Sequence, residues 1–107
     1  MPVYNKLVRD RIPEIIAKSG KIFETRILAD QEFMKELKMK AQEEFNEYLE
    51  TDSDKDAVEE LSDLLEVVYA LAKVHGASVE LLEKARKQKA DARGAFEEKV
   101  FLVKVED

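Results

Sequence analysis

Glu43-Glu44-Phe45-Asn46-Glu47-Tyr48-Leu49-Glu50-Thr51-Asp52-Ser53-Asp54-Lys55-Asp56-Ala57-Val58-Glu59-Glu60-Leu61-Ser62-Asp63 is the stretch that decides the fold. It sets ten carboxylates against one cation, Lys55. At its centre, Thr51-Asp52-Ser53-Asp54 has turn and cap chemistry, because short oxygen-bearing side chains bond nearby backbone amides. Upstream, Phe33, Leu37, Ala41, Phe45, Tyr48 and Leu49 recur with helical period and predict an amphipathic helix from Gln31 to about Glu50. Downstream, a second helix runs from about Lys55 to His75 and stops at Gly76. So short a connection makes the two helices antiparallel neighbours, a helical hairpin.

Working outward, Asp10 is placed to cap a short first helix with Pro13 in its first turn and Ile12, Ile15 and Ile16 on one side, ending at Ser19-Gly20. Residues 22–28 are rich in β-branched and aromatic side chains with partial alternation, which predicts a strand, and Asp30 then serves as N-cap of the long helix. Ser78 caps a further helix from Val79 to about Arg93, closed by Gly94, and residues 100–105 predict a final strand able to pair with 22–28. The expected fold is mainly α, a helical bundle with a small two-stranded β appendage, in one domain over residues 1–107. Between Leu64 and Val74 only Glu66 and Lys73 are charged. A helix apolar on so many sides needs more cover than one small domain offers, so a homodimer or homotetramer is expected.

Composition narrows the function classes. Hydrophobic residues are 45% and charged residues 39%, which is globular rather than disordered. A net charge of -6 argues against binding a nucleic acid polymer, since phosphate neutralisation needs clustered Lys and Arg. With no Cys there are no disulfides, zinc thiolates or cysteine nucleophiles, and nothing ties the chain to an oxidising compartment, so a cytoplasmic home is expected. The densest apolar run, Val67 to Ala72, is too short to span a bilayer, and the first residues carry no apolar signal core. No membrane partner is expected. Glycine-rich phosphate loops and dinucleotide fingerprints are missing, so any phosphate must be held by a metal or by cations.

The carboxylates carry the chemistry. Glu44 lies on the line Leu37, Ala41, Glu44, Tyr48, the core-facing stripe, while Glu60 and Asp63 open the line continued by Val67, Ala70 and Val74. Glu44 with Glu47, and Glu60 with Asp63, are pairs at i,i+3 spacing on facing helices. Hairpin geometry sets Glu47 level with Glu60 and Glu44 level with Asp63, a four-carboxylate cage. Unpaired, such buried acids cost several kcal/mol each; Mg²⁺ or Mn²⁺, which prefer oxygen ligands, would satisfy them. A di-iron bundle needs Glu-x-x-His twice, and the sole His75 is three turns from Asp63. His75 reads as a helix-terminal packing or dipole-compensating residue. Ahead of Glu44, Glu32, Glu36, Lys35, Lys38 and Lys40 read as a solvated mixed-charge face.

Glu43-Glu44-Phe45-Asn46-Glu47, twelve residues, then Glu60-Leu61-Ser62-Asp63 resembles the E-E-x-x-E, E-x-x-D signature of all-α nucleoside triphosphate pyrophosphohydrolases, of the MazG-like or phosphoribosyl-ATP pyrophosphohydrolase-like kind. The opening Tyr4-Asn5-Lys6-Leu7-Val8-Arg9-Asp10-Arg11-Ile12-Pro13-Glu14-Ile15-Ile16 resembles the start of a small prokaryotic and phage subgroup. Arg93-Gly94-Ala95-Phe96 resembles that subgroup's R-G-G-F ending, departing from it at Ala95. The resemblance implies that Glu44, Glu47, Glu60 and Asp63 bind Mg²⁺. It also implies hydrolysis of a nucleotide polyphosphate, canonical or noncanonical, to a monophosphate and pyrophosphate, a house-cleaning activity. Mg²⁺ on the phosphate oxygens would neutralise charge developing at the α-phosphorus, while Glu43 or Glu47 orients the attacking water. Glu47 is favoured as a ligand, and an outward-pointing surface glutamate explains Glu43 equally well. Arg86, Lys89 and Arg93 share a face of the last helix, which suits either substrate phosphate or simple solvation opposite the acidic hairpin. Asn5, Lys6 and Arg9 could touch substrate or merely flank the first helix. A dedicated phosphoribosyl-ATP hydrolase and a noncatalytic helical interaction module are the alternatives.

Overall fold

The computed structural model describes residues 2–107 and is all-helical: α1 (Ile12–Lys18), α2 (Asp30–Leu49), α3 (Asp54–Val74) and α4 (Val79–Arg93). Helices α2 and α3 form the hairpin read from the sequence, joined through residues 50–53, and α4 packs against α3. Each junction has a local cause. Ser53 accepts the Asp56 N–H at 3.1 Å and Ser78 accepts the Leu81 N–H at 3.1 Å, so both helices begin at side-chain caps that satisfy otherwise orphaned amides. Thr51 Oγ1 donates to the Tyr48 carbonyl at 2.7 Å and closes the last turn of α2. After α3 the chain reverses at Gly76, whose φ of 82° lies in the left-handed region that a side chain disfavours.

Among the described residues, Leu37 of α2 and Val67 of α3 are the buried apolar side chains, on the stripes the periodicity assigned. Phe45 and Tyr48, one turn apart on α2, stack at 6.1 Å between ring centroids. No helix is long and apolar enough to cross a membrane among the described residues.

Two sequence expectations fail. The β appendage is absent: residues 22–28 and 100–105 form no strand among the described residues, and Ile22, Ile27, Phe101 and Val103 stand out in solvent. β-propensity rewards a half-buried pleated surface, and an isolated two-stranded ribbon has no layer to bury against, so the pattern alone does not produce pairing. Capping at the acidic candidates also differs. The α1 cap is Arg11 rather than Asp10, and Asp30 lies within the first turn of α2 behind Ala29; neither helix has a side-chain cap bond. Asp30 and Glu32 still face the positive end of the helix dipole. Arg26 clamps Glu32 through two bonds of 3.0 and 2.7 Å, fixing the entry into α2.

Candidate metal centre

The hairpin brings three of the sequence-assigned carboxylates together. Oxygens of Glu44, Glu47 and Glu60 lie within 4.8 Å of one another, two residues from α2 and one from α3. The i,i+3 spacing aims Glu44 and Glu47 from one side of α2, and the short connection sets Glu60 at their height.

Glu44 is buried, and its Oε2 has no hydrogen-bond partner; Glu60 Oε2 is likewise buried and unpartnered. The other Glu44 oxygen faces Lys40 Nζ at 3.7 Å, a distance of weak attraction rather than a good hydrogen bond. Burial first, and then the adjacent Glu47 carboxylate, push the Glu44 carboxyl above its ordinary range, with Lys40 pulling the other way. Burial also leads at Glu60, raising it together with the charges of Glu47 and Asp63. Two acids about one and a half helical turns from a tight loop are thus held where ionisation is disfavoured.

Asp63 stands one turn further along α3, near enough for its charge to be felt at Glu44 and Glu60. Its Oδ1 accepts a bond from the Arg9 guanidinium at 2.8 Å, so the segment ahead of α1 reaches back to the hairpin. Glu43 lies outside the triad and lines a shallow open groove on α2 with Gln42, Asn46, Glu47 and Glu50. On α4, Arg86 is held bidentately by Glu83, at 2.9 and 2.5 Å, whereas Lys89 and Arg93 carry no ion pair among the described residues. α4 reaches α3 but not α2, so this basic face does not close over the triad within one chain.

Lys40 and Arg9 are the cations that sequence reasoning undervalued. Lys40 reads as part of a solvated mixed-charge face, yet its side chain is 19% exposed and leans on Glu44. The available signal was its i,i+4 spacing to a core-facing acid. Arg9 had no such signal, because its partner is 54 residues away.

The donor set fits a hard cation: all oxygen, from three carboxylates, with two orphaned oxygens free to accept a cation, a proton or a hydrogen bond. Opposed ligands of a Mg²⁺ ion stand about 4.2 Å apart, so small side-chain rotations would bring all three onto one centre. Among family models, curated proteins and solved structures, none matches this chain.

Proposed function

We propose that this protein is a Mg²⁺-dependent nucleotide pyrophosphohydrolase of the MazG-like kind, cleaving a nucleoside triphosphate to monophosphate and pyrophosphate. One observation carries the reading: Glu44, Glu47 and Glu60 converge within 4.8 Å with buried, unpartnered oxygens on Glu44 and Glu60. A solvated acidic face leaves its carboxylates apart in water; a converging, partly buried triad is costly without a cation.

Glu44, Glu47 and Glu60 would hold the ion, with Asp63 adjacent. When bound, Mg²⁺ (or Mn²⁺) supplies charge neutralisation at the triphosphate and polarises its phosphoryl oxygens. The remaining work falls to side chains. Glu47, or Glu43 on the same helix, accepts a hydrogen bond from the attacking water and takes up its proton as the new bond to the α-phosphorus forms and the pyrophosphate oxygen leaves. Lys89 and Arg93, without an ion pair among the described residues, would serve a phosphate chain only where it extends from the triad as far as α4, and Arg86 would join them only by giving up Glu83. Arg9 can exchange Asp63 for a substrate phosphate oxygen at the same place.

The test is pyrophosphate release from a panel of canonical and modified nucleoside triphosphates and phosphoribosyl-ATP with Mg²⁺, set beside Glu60→Gln and Asp63→Asn. The expected result is turnover that both substitutions abolish or cut by at least about 10²-fold, on the scale of losing a main electrostatic contributor. Indistinguishable rates for all three proteins would make the chain a noncatalytic helical module. Exclusive use of phosphoribosyl-ATP would assign it to the biosynthetic reaction instead.

A further inference from the structure

We propose that the chain without nucleotide holds a single divalent cation rather than a pair, because Lys40 and Arg9 supply the charge that a second ion would bring. The inference rests on the carboxylates binding a divalent ion, as proposed above, and adds the number of ions and what sets it.

The carboxylate oxygens divide between two kinds of partner. Glu44 Oε2 and Glu60 Oε2 are buried and unpartnered, and these two residues converge with Glu47 within 4.8 Å. Glu44 Oε1 instead faces Lys40 Nζ at 3.7 Å, and Asp63 Oδ1 accepts the Arg9 guanidinium at 2.8 Å. In two-ion sites the cations stand about 3.5–4 Å apart. With so few acids, ions that close must share a carboxylate, one oxygen to each. Glu44 is the buried member of the triad and the natural bridge, yet the oxygen it would turn to the second ion already meets an ammonium. The oxygen of Asp63 beside it already meets a guanidinium.

Charge leads to the same number. Glu44, Glu47, Glu60 and Asp63 bring four negative charges to one end of the hairpin. Lys40 and Arg9 return two, and one divalent ion returns the remainder. Among the described residues no other Lys or Arg pairs with these four acids. A second divalent ion would leave the cluster with excess positive charge in a partly buried place, which is costly.

Lys40 is the firmer of the two cations. Its side chain is 19% exposed and that of Glu44 10%, so the pair has largely left water and is screened little by salt. Its ammonium is a compact point charge on a flexible stem, able to neutralise one oxygen of Glu44 while the other remains free for an ion. Arg9 is 57% exposed and yields more easily. Any further cation at the phosphates then arrives with the nucleotide rather than with the protein.

Mn²⁺ is the probe, since it takes the same oxygen ligands as Mg²⁺ and is paramagnetic. Titration of the whole metal-free chain without nucleotide, read by calorimetry and by electron paramagnetic resonance, is expected to saturate at one ion per chain with no coupling between spins. Lys40→Met keeps the apolar stem and removes the charge. Combined with Arg9→Gln it is expected to saturate at two ions, with the exchange-coupled spectrum of neighbouring Mn²⁺, whereas Lys40→Arg stays at one. Lys40→Met alone should admit the second ion at higher Mn²⁺ concentration, and it decides the matter where the double variant does not fold. Two ions on the wild-type chain overturn the proposal and leave the metal reading standing. So do folded variants lacking the Lys40 charge that still stop at one. A wild-type chain that binds no Mn²⁺ overturns both.

Discussion

Replacing Glu44 by Gln should stabilise the protein without metal and destabilise it with metal. In the wild-type chain Glu44 Oε2 is buried and unpartnered, and the Glu47 and Glu60 carboxylates crowd it. A buried unsatisfied polar group costs about 1–3 kcal/mol, more when charged, and a glutamine amide would replace that acceptor with donors aimed at two acceptors. Against this, Lys40 loses its partner at 3.7 Å, a loss of about 0.2–1 kcal/mol for so loose a pair. Relief outweighs loss, and a net gain of about 1 kcal/mol, or roughly 4–8 °C in Tm for a chain this short, is expected in chelator. With Mg²⁺ at a hundred times its Kd the wild type gains about 2.7 kcal/mol by linkage, which the variant forgoes, so the ranking reverses. Differential scanning fluorimetry of both proteins in EDTA and across a Mg²⁺ titration reads the crossing directly. A Glu44→Gln protein that melts lower in EDTA, or that keeps the wild-type Mg²⁺ shift, would refute the idea that this oxygen is a vacant ligand.

Three further outcomes follow from the same geometry. Glu44 and Glu60 have folded pKa values above their ordinary 4.5, so the native state holds more protons than the unfolded one. Their contribution is fully present below that ordinary value and is lost as pH rises through the raised ones, so the Tm without metal should fall as pH climbs above that ordinary value. The Mg²⁺-induced rise should grow over the same interval, because the cation displaces protons, and a metal-free Tm that climbs with pH there contradicts the assignment. Arg9→Gln removes a cation from Asp63, an exposed contact worth about 0.2–1 kcal/mol, so calorimetry should show Mg²⁺ binding tightened by roughly 1.5–5-fold. Unchanged or weaker binding would mean Asp63 takes no part in holding the ion. Ser78→Ala loses the cap bond to Leu81 N–H and should cost about 1 kcal/mol in urea unfolding, while Ser78→Gly should cost only a few tenths; equal losses would point to something other than the cap.

The hairpin was legible because its signals are local. Apolar period, Ser53, Ser78 and the glycine stops act within a turn of their own helix, and the structure places α3 and α4 within a residue of where they were read. Facing carboxylates were legible for a related reason: a short connection converts sequence distance from the turn into height, which brought Glu47 and Glu60 together. Residues 22–28 and 100–105 show the limit. Their alternation is genuine, but pairing them needs a contact across more than seventy residues and a surface beneath, and neither is written in the segments themselves. Arg9 meeting Asp63 fails to show in the sequence for the same reason, whereas Lys40 beside Glu44 was within local reach and was outweighed by the charge alternation around it.

Placement of the acids explains why so thin a fold keeps them. Glu44, Glu47 and Glu60 lie between the hairpin's turn and the Leu37–Val67 level. Leu37 and Val67 lie further along, so the hairpin can register its helices at one end while tolerating repulsion at the other. Leucine at position 44 or 60 would relieve that repulsion and extend the Leu37–Val67 stripe, gaining about 1.5–3 kcal/mol of burial per side chain. The sequence forgoes this, and Lys40, 3.7 Å from Glu44, compensates only in part, while Arg9 pairs with Asp63 at 2.8 Å. A stability optimum forgone at Glu44 and Glu60, beside partial cationic compensation, agrees with the divalent-ion site proposed above. A surface merely rich in glutamate would show none of that convergence.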